Sequence, residues 1–450
     1  MWHQHLAGFR RSNKGPSPRR FRPRREKRPS GPRLFLEPLE DRCLLSFTLG
    51  PLVQVAPVDL FAGAKTFNQG GDYFPNTQVE PRVAVDPTNL NHLVGVWQQE
   101  RWDNGGSFGT VAGVSFDAGQ HWQEVVIPGL TTASGGSFNR ASDPWVSFGP
   151  TGKVYESSLV INVDSKGVEQ ESGVAVSMSS DGGLTWSAPT VLILTNFSGP
   201  NFIENDKESI TADPQNPNLV YTIWDQVSTN GTSPGQTFLS RSTDGGQTWS
   251  SPQLILTAPN NDAILGHQIL ILPNGTLVDG FVDVHLDPTT RTSPFSFEVL
   301  RSSDRGVTWS APIVAAQELP NGAFEPFNDR FVRSGSDLPE MAVDPNNGNL
   351  YGVWEDGRAT SSQDFFDQYD SILFSMSTDG GLTWSNPIQV NQTPVNVSNP
   401  RDSTAFVPSI AVGQDGTVAV TYYDFRFGDA IAGAGTDAWV VSAIPAPRGG

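Results

Sequence analysis

From residue 80 onward the chain repeats one pattern: an apolar stretch, a short polar turn, and a second apolar stretch. PRVAVDPTNLNHLVGVW (81–97) and ESITADPQNPNLVYTIW (208–224) show it in full. Short runs rich in Val, Ile, Tyr and Trp, bounded by Pro, Gly, Asn and Asp, predict strand hairpins and leave no room for long helices. Six such openings occur, at about residues 81, 144, 208, 268, 339 and 408. Their turns (DPTN, GPTG, DPQN, PNG, DPNN and QDG) use the residues that tight hairpins require. Each opening leads through a variable segment to a third strand and then, in most repeats, to a fourth such as PTVLIL (189–194) or PIQVN (387–391). The sixth repeat ends with AWVVSAIP (438–445) and lacks a fourth strand of its own.

An eight-residue turn joins the third strand to the fourth. It occurs five times: SFDAGQHW (115–122), SSDGGLTW (179–186), STDGGQTW (242–249), SSDRGVTW (302–309) and STDGGLTW (377–384). The Asp can accept hydrogen bonds from backbone N–H groups further along the turn, the Gly supplies a backbone shape that side chains tolerate poorly, and the Trp covers the turn. A fixed pattern with a period of 60 to 75 residues marks a tandem array whose aspartates are scaffold.

These five turns resemble the Asp boxes, or BNR repeats, of the sialidase superfamily. The resemblance spans residues 80 to 445 and implies an all-β, six-bladed β-propeller with four antiparallel strands per blade, occupying residues 47–450 as one domain. It also implies that the boxes lie on the face away from any active site. The lone stretch PLVQVAP (51–57) is expected to pair antiparallel with residues 438 to 444 and so complete the last blade.

Composition divides the chain. Residues 1–46 hold twelve Lys and Arg against four Asp and Glu, which leaves 17 against 43 in the rest, a net of −26. The Arg- and Pro-rich start cannot bury apolar surface and is expected to be a disordered leader. It runs into LFLEPLEDRCLLS (34–46), which resembles the Leu-Glu-Pro-x-x-x-Arg-x-Leu-Leu leader of exported planctomycete proteins at Leu36, Glu37, Pro38, Arg42, Leu44 and Leu45. That resemblance implies a secreted or cell-surface protein. The only cysteine, Cys43, lies in this leader, so no disulfide forms within the chain. The acidic remainder repels nucleic acid and favours neutral glycans, glycoconjugates, cations or basic proteins as partners. No apolar run is long enough to span a membrane as a helix, and a monomer is expected.

Antiparallel order places the segments before each first strand and after each second strand on the face opposite the boxes. Glu80, Asp143, Asp206, Lys207, His267, Glu355 and many other charged residues fall there. In the sialidase superfamily three arginines hold a sugar carboxylate, a Tyr activated by a Glu is the nucleophile, and an Asp is the acid/base. Carried over, Arg82, Arg333 and Arg401 are the carboxylate ligands and Asp103 the acid/base. Tyr423, with Tyr422 beside it, is the nucleophile and Glu325 its activating base. The family's Arg-Ile-Pro motif is absent, since Val83-Ala84 follows Arg82. In DVHLD (283–287) alternation puts Asp283, His285 and Asp287 on one side of a strand, where they could hold a divalent cation. The triplet is read as a solvated strand end, and no metal or cofactor is expected. No phosphate loop, Ser-His-Asp elbow or His-Glu-x-x-His motif appears.

Two functions follow: a secreted exo-glycosidase of the exo-α-sialidase type acting on terminal acidic sugars, or a non-catalytic propeller that binds glycans or proteins on the loop face. Convergence of the three arginines on a Tyr–Glu pair separates the two.

Overall fold

The computed structural model describes residues 52–63, 70–197, 203–228, 233–259, 262–285, 295–326, 330–336, 338–360, 368–396, 399–427 and 435–443. The leader, residues 1–46, lies outside them, as does Asp287.

The described residues are all-β, with 3-10 turns at Thr132–Ser134, Gly357–Ala359 and Pro400–Ser403 and no α-helix. Each sequence repeat becomes a module of antiparallel strands. The first strands of the six modules are Tyr73–Asp86, Arg140–Phe148, Ile203–Ala212, Ala263–Ile271, Glu340–Val343 and Ala405–Val412. Modules one to five each have four strands, and a single pairing of Ser107 with Ala141 joins the first two into one larger sheet. The sixth has three. A small hairpin, Ala323–Phe324 with Phe331–Val332, lies between the fourth and fifth modules in sequence.

Consecutive modules pack face to face because alternation along each strand sends apolar side chains to both sheet faces. Val94, Val96 and Val114 of the first module meet Val146, Phe148 and Val160 of the second. Equivalent cores join the second to the third, the third to the fourth, the fourth to the fifth and the fifth to the sixth. Trp224 and Trp354, on the second strands of modules three and five, are fully buried.

The expected closing strand does not form. Residues 52–57 adopt no strand, and the chain instead packs on the first module through Val55, Leu60 and Phe61, which cover Trp97, Trp102 and Val111. Glycines make this contact close, since a Cβ at Gly109 would lie 2.7 Å from Phe61 and one at Gly113 would lie 3.1 Å from Val55. Apolar burial against two Trp side chains outweighs the backbone pairing that edge protection alone would bring. Val407, Thr421, Tyr423 and Val440 are exposed on one face of the sixth module.

The five box turns are nearly identical. In the fifth, Ser377 Oγ donates to Asp379 Oδ1 at 2.8 Å, Gly381 N donates to Ser377 Oγ at 2.8 Å, and Thr383 N donates to Asp379 Oδ1 at 2.9 Å. Thr383 Oγ1 donates to the other carboxylate oxygen at 2.6 Å. Both oxygens are therefore committed within the turn.

Candidate functional site

The innermost strand of five modules carries the same irregularity. The ladder skips a step, and the residue there has positive φ: Glu80 (54°), Asp143 (49°), Lys207 (48°), Gly266 (72°) and Val407 (50°). This is a β-bulge in the left-handed conformation, which costs a non-glycine residue roughly 1–2 kcal/mol. Three of the five bulge residues precede a proline (Pro81, Pro144 and Pro408). Proline cannot donate to the ladder and so belongs where the ladder is broken. The first three bulge residues are ionisable, and their side chains meet.

Lys207 Nζ lies 2.5 Å from Asp143 Oδ2 and 3.7 Å from Asp206 Oδ1. The Glu80 and Asp143 carboxyls hydrogen-bond to each other. Gln98 Nε2 donates to Glu80 Oε2 at 2.5 Å, and Arg333 Nη1 stands 3.5 Å from Glu80 Oε1. Next to them Arg82 pairs with Glu340 and lies flat on Trp145, 3.7 Å from the ring centroid. The cluster is open to solvent: Glu80, Asp206 and Lys207 keep 34, 27 and 24 % of their side-chain surface exposed.

Burial, and then the charge of Asp143, push the Glu80 carboxyl up to about 7. Burial acts on Asp143 in the same sense, but the Lys207 ammonium and hydrogen bonds from Glu80, Lys207 and Ser142 hold it well below the usual carboxylate range. Near neutral pH Glu80 thus holds a proton far more readily than Asp143, which stays ionised. Two carboxyls in contact cannot both ionise, and the lysine decides which one does. Lys207 is itself raised, against its burial, by Asp143, Asp206 and Glu80.

A second carboxyl pair adjoins the first. Glu169 and Glu204 hydrogen-bond to each other; burial, followed by neighbouring carboxylates, takes them to about 8 and about 7. Behind both pairs Glu208 and Asp225 are buried, and burial raises both well above the normal range. His267 bridges Thr237 Oγ1 (2.8 Å) and Asp279 Oδ2 (2.7 Å), but it is fully buried, so this relay holds two modules together and meets no substrate.

Contacts place the six residues expected from the sequence at four separate positions. Arg82 and Arg333 stand at the carboxyl cluster, each already facing a glutamate. Arg401 is buried over the ring of Phe324, 4.7 Å from its centroid, next to Glu325, whose backbone N–H closes the small hairpin. Tyr423 lies on the exposed face of the sixth module, 6.1 Å between ring centroids from Phe406, and its hydroxyl makes no hydrogen bond among the described residues. Tyr422 points the other way and is buried, its oxygen accepting from Gln392 N at 3.1 Å. Asp103 is exposed and accepts from Asp72 N at 3.0 Å, near Arg140. At the strand end of the fourth module His285 Nδ1 is 2.9 Å from Asp262, and burial raises Asp283 to about 6. No set of three possible ligands close enough to hold a metal occurs among the described residues.

Glu80, Asp143, Asp206 and Lys207 were legible as loop-face charges, but nothing in the loop-face pattern singled them out. The usable signal was the residue just before each strand-opening proline. Glu169 and Glu204 carried no signal, since each sits in an ordinary polar stretch.

No protein-family model and no curated protein matches the sequence. Solved structures do match. An α-L-arabinanase of Penicillium chrysogenum complexed with arabinobiose is 15 % identical over 82 % of this chain and 94 % of its own, with a TM-score of 0.54. The fold is that of the propeller glycosidases. An α-L-arabinofuranosidase of Fusarium graminearum with an iminosugar inhibitor is 16 % identical over 83 % of this chain and 96 % of its own, at a TM-score of 0.52. A Trypanosoma rangeli sialidase reaches a TM-score of 0.45 with 15 % identity, over 81 % of this chain and 55 % of its own, too distant to carry argument about chemistry. At such identities the likeness concerns the fold alone.

Proposed function

We propose that this protein is a glycoside hydrolase acting on a neutral glycan, with Glu80 as the proton donor and Asp143 as the ionised carboxylate. The observation that carries this reading is the Glu80–Asp143 pair, held on two strained bulges with its proton affinities pushed apart. Glycosidic cleavage needs one carboxyl protonated near neutral pH and one ionised, on either side of an oxocarbenium-like transition state. In contact the two carboxyls are closer than the roughly 5 Å or more by which such a pair brackets a glycosidic bond, so substrate enters between them, parts them, and takes the place of Asp143 as acceptor of the Glu80 proton, which passes to the leaving oxygen. Asp143, kept ionised by Lys207, then faces the developing positive charge directly or through a water. Gln98 orients Glu80.

Charge decides for a neutral sugar. Lys207, Arg82 and Arg333 all face carboxylates, and Glu169, Glu204, Asp206 and Glu340 add further acid around them. The arabinan-cleaving structures that share the fold make a pentose polymer the first substrate to try. A second reading keeps the sialidase type: Arg82 and Arg333 lie close enough to Glu80 and Glu340 that a substrate carboxylate could displace those glutamates, with Arg401, Asp103, Tyr423 and Glu325 completing the site. In either reading the six modules are the six blades of one ring. The protein is exported by its leader, and among the described residues no helix is long and apolar enough to cross a membrane.

The test is turnover of aryl arabinosides, arabinan, other neutral glycosides and sialosides by the purified full-length chain, with E80Q, D143N and Y423F variants alongside. Hydrolysis of a neutral glycoside that E80Q and D143N lower and Y423F spares supports the main reading. Sialoside turnover lost in Y423F supports the second. Glycan binding with no turnover of any kind would leave a binding module.

A further inference from the structure

At the junction of the third and fourth modules the box carries a large charged residue where the other copies have glycine or alanine. The fourth position of the box has positive φ in all five copies: Ala118 (58°), Gly182 (78°), Gly245 (73°), Arg305 (63°) and Gly380 (73°). Glycine or alanine fills it four times. Arginine there sits in a conformation that side chains adopt at a cost, and such cost persists where a function needs it.

A second departure meets the first. Tyr155, Tyr221 and Tyr351 occupy one place in the second strands of modules two, three and five, and their cross-strand partners are Met178, Arg241 and Met376. At the junction of modules two and three the tyrosine hydroxyl latches the next module, donating to Gly245 O at 3.2 Å; His92 reaches Gly182 O at 2.9 Å one junction earlier. At the third junction Arg241 Nη1 takes that role, donating to Arg305 O at 2.6 Å, and the Tyr221 hydroxyl is left buried without a partner. Arg241 thus makes at this junction the contact that a tyrosine hydroxyl makes one junction earlier.

The two arginines border a cleft of about 380 Å³ with Asn216, Asn218, Thr243 and the Asp304 carboxylate on its walls. This is within the size range of sites that hold a small ligand. Neither guanidinium forms an ion pair among the described residues, although this part of the chain is strongly acidic. The nearby carboxylates are engaged by their own turns: Asp304 accepts from Ser302, Val307 and Thr308, and Asp213 from Gln215 and Asn216. Two unpaired planar cations beside amide and hydroxyl donors match a tetrahedral oxyanion. We propose that this cleft binds a sulfate or phosphate group, free or as an ester on a sugar, on the face opposite the carboxyl cluster.

Thermal unfolding of the full-length chain in sodium sulfate, sodium phosphate and sodium chloride at equal ionic strength tests this, with R305G and R241M variants. The intact protein should gain more in melting temperature from sulfate or phosphate over chloride than the two variants do, since both salts also stabilise folded proteins by exclusion; that excess is the oxyanion-specific shift. R305G should melt higher than the parent in chloride, because the strained side chain is gone, yet lose the oxyanion-specific shift. R241M should lose the shift as well. Equal melting of the parent in all three salts, or an undiminished shift in R305G and R241M, overturns the proposal. Titration calorimetry with a sulfated monosaccharide and its unsulfated parent separates the two sources: affinity about tenfold above that of inorganic sulfate identifies an ester on sugar, and equal affinity identifies the free ion.

Discussion

The box turns and the axial bulges are both repeated, and both carry carboxylates, but they treat them in opposite ways. Asp244, Asp304 and Asp379 each accept several hydrogen bonds from their own turn, and those bonds take them to about 2. They are ionised, satisfied and spent. Glu80 and Asp143 sit on backbone of equal regularity, yet they share one proton between them, and Glu80 is held near 7. In the boxes the side chain recurs because it makes the turn. At the bulges only the backbone recurs, while the side chain runs through Glu, Asp, Lys, Gly and Val. A repeated shape with a variable side chain is where a repeat protein can place chemistry.

The sharpest way to break this contrast is to neutralise one carboxyl of each kind. E80Q and D143N are expected to lower kcat on a turned-over glycoside by about 10²-fold or more, the usual weight of a positioned acid or base, with melting little changed. A loss of only a few-fold in both would remove the pair from catalysis. Asp379→Ala should do the reverse, costing about 2 kcal/mol of stability because backbone N–H groups lose their acceptor and leaving kcat as it was; urea titration reads the first and a rate assay the second.

Acidity separates the two regions in a further way. A box aspartate has a depressed folded-state pKa, so its stabilisation is present above the unfolded value near 4 and disappears as pH falls toward 2. Glu80 has a raised one. The folded state then holds a proton that the unfolded state has already released, so stability declines as pH rises from about 4.5 and levels off above about 7. Melting temperatures between pH 5 and 8 should therefore fall, and E80Q should flatten that slope; an equal slope in E80Q would mean that the other raised carboxyls, Glu169, Glu204, Asp283, Asp370 and Glu156 among them, carry it. The smallest effect belongs to Val407, a bulge residue with no polar role. Val407→Gly should gain about 0.5–1 kcal/mol by relieving its positive φ, and a loss of stability there would show that the bulge is not strained.

The fold was readable in the sequence for a local reason. Strand alternation, turn residues and the box Ser, Asp, Gly and Trp are set by interactions within a few residues, so the strands, hairpins and box turns appear where the pattern placed them. The first-module contact of Val55 and Phe61 was not readable, because PLVQVAP has the composition of a strand and only the bare backbone at Gly109 and Gly113 makes room for it to pack as a coil. The candidate site was legible in part. Loop-face charge pointed to Glu80, Asp143 and Lys207 together with some twenty others, and the proline after two of these three hinted at a broken ladder. What the chain could not reveal by itself is that residues 80, 143 and 207 meet, since that depends on how three modules stack on one another. Proton affinity is decided at the same level: Glu80 and Asp143 are ordinary carboxylates in the sequence, and only shared burial and a lysine from a third module force their charges apart.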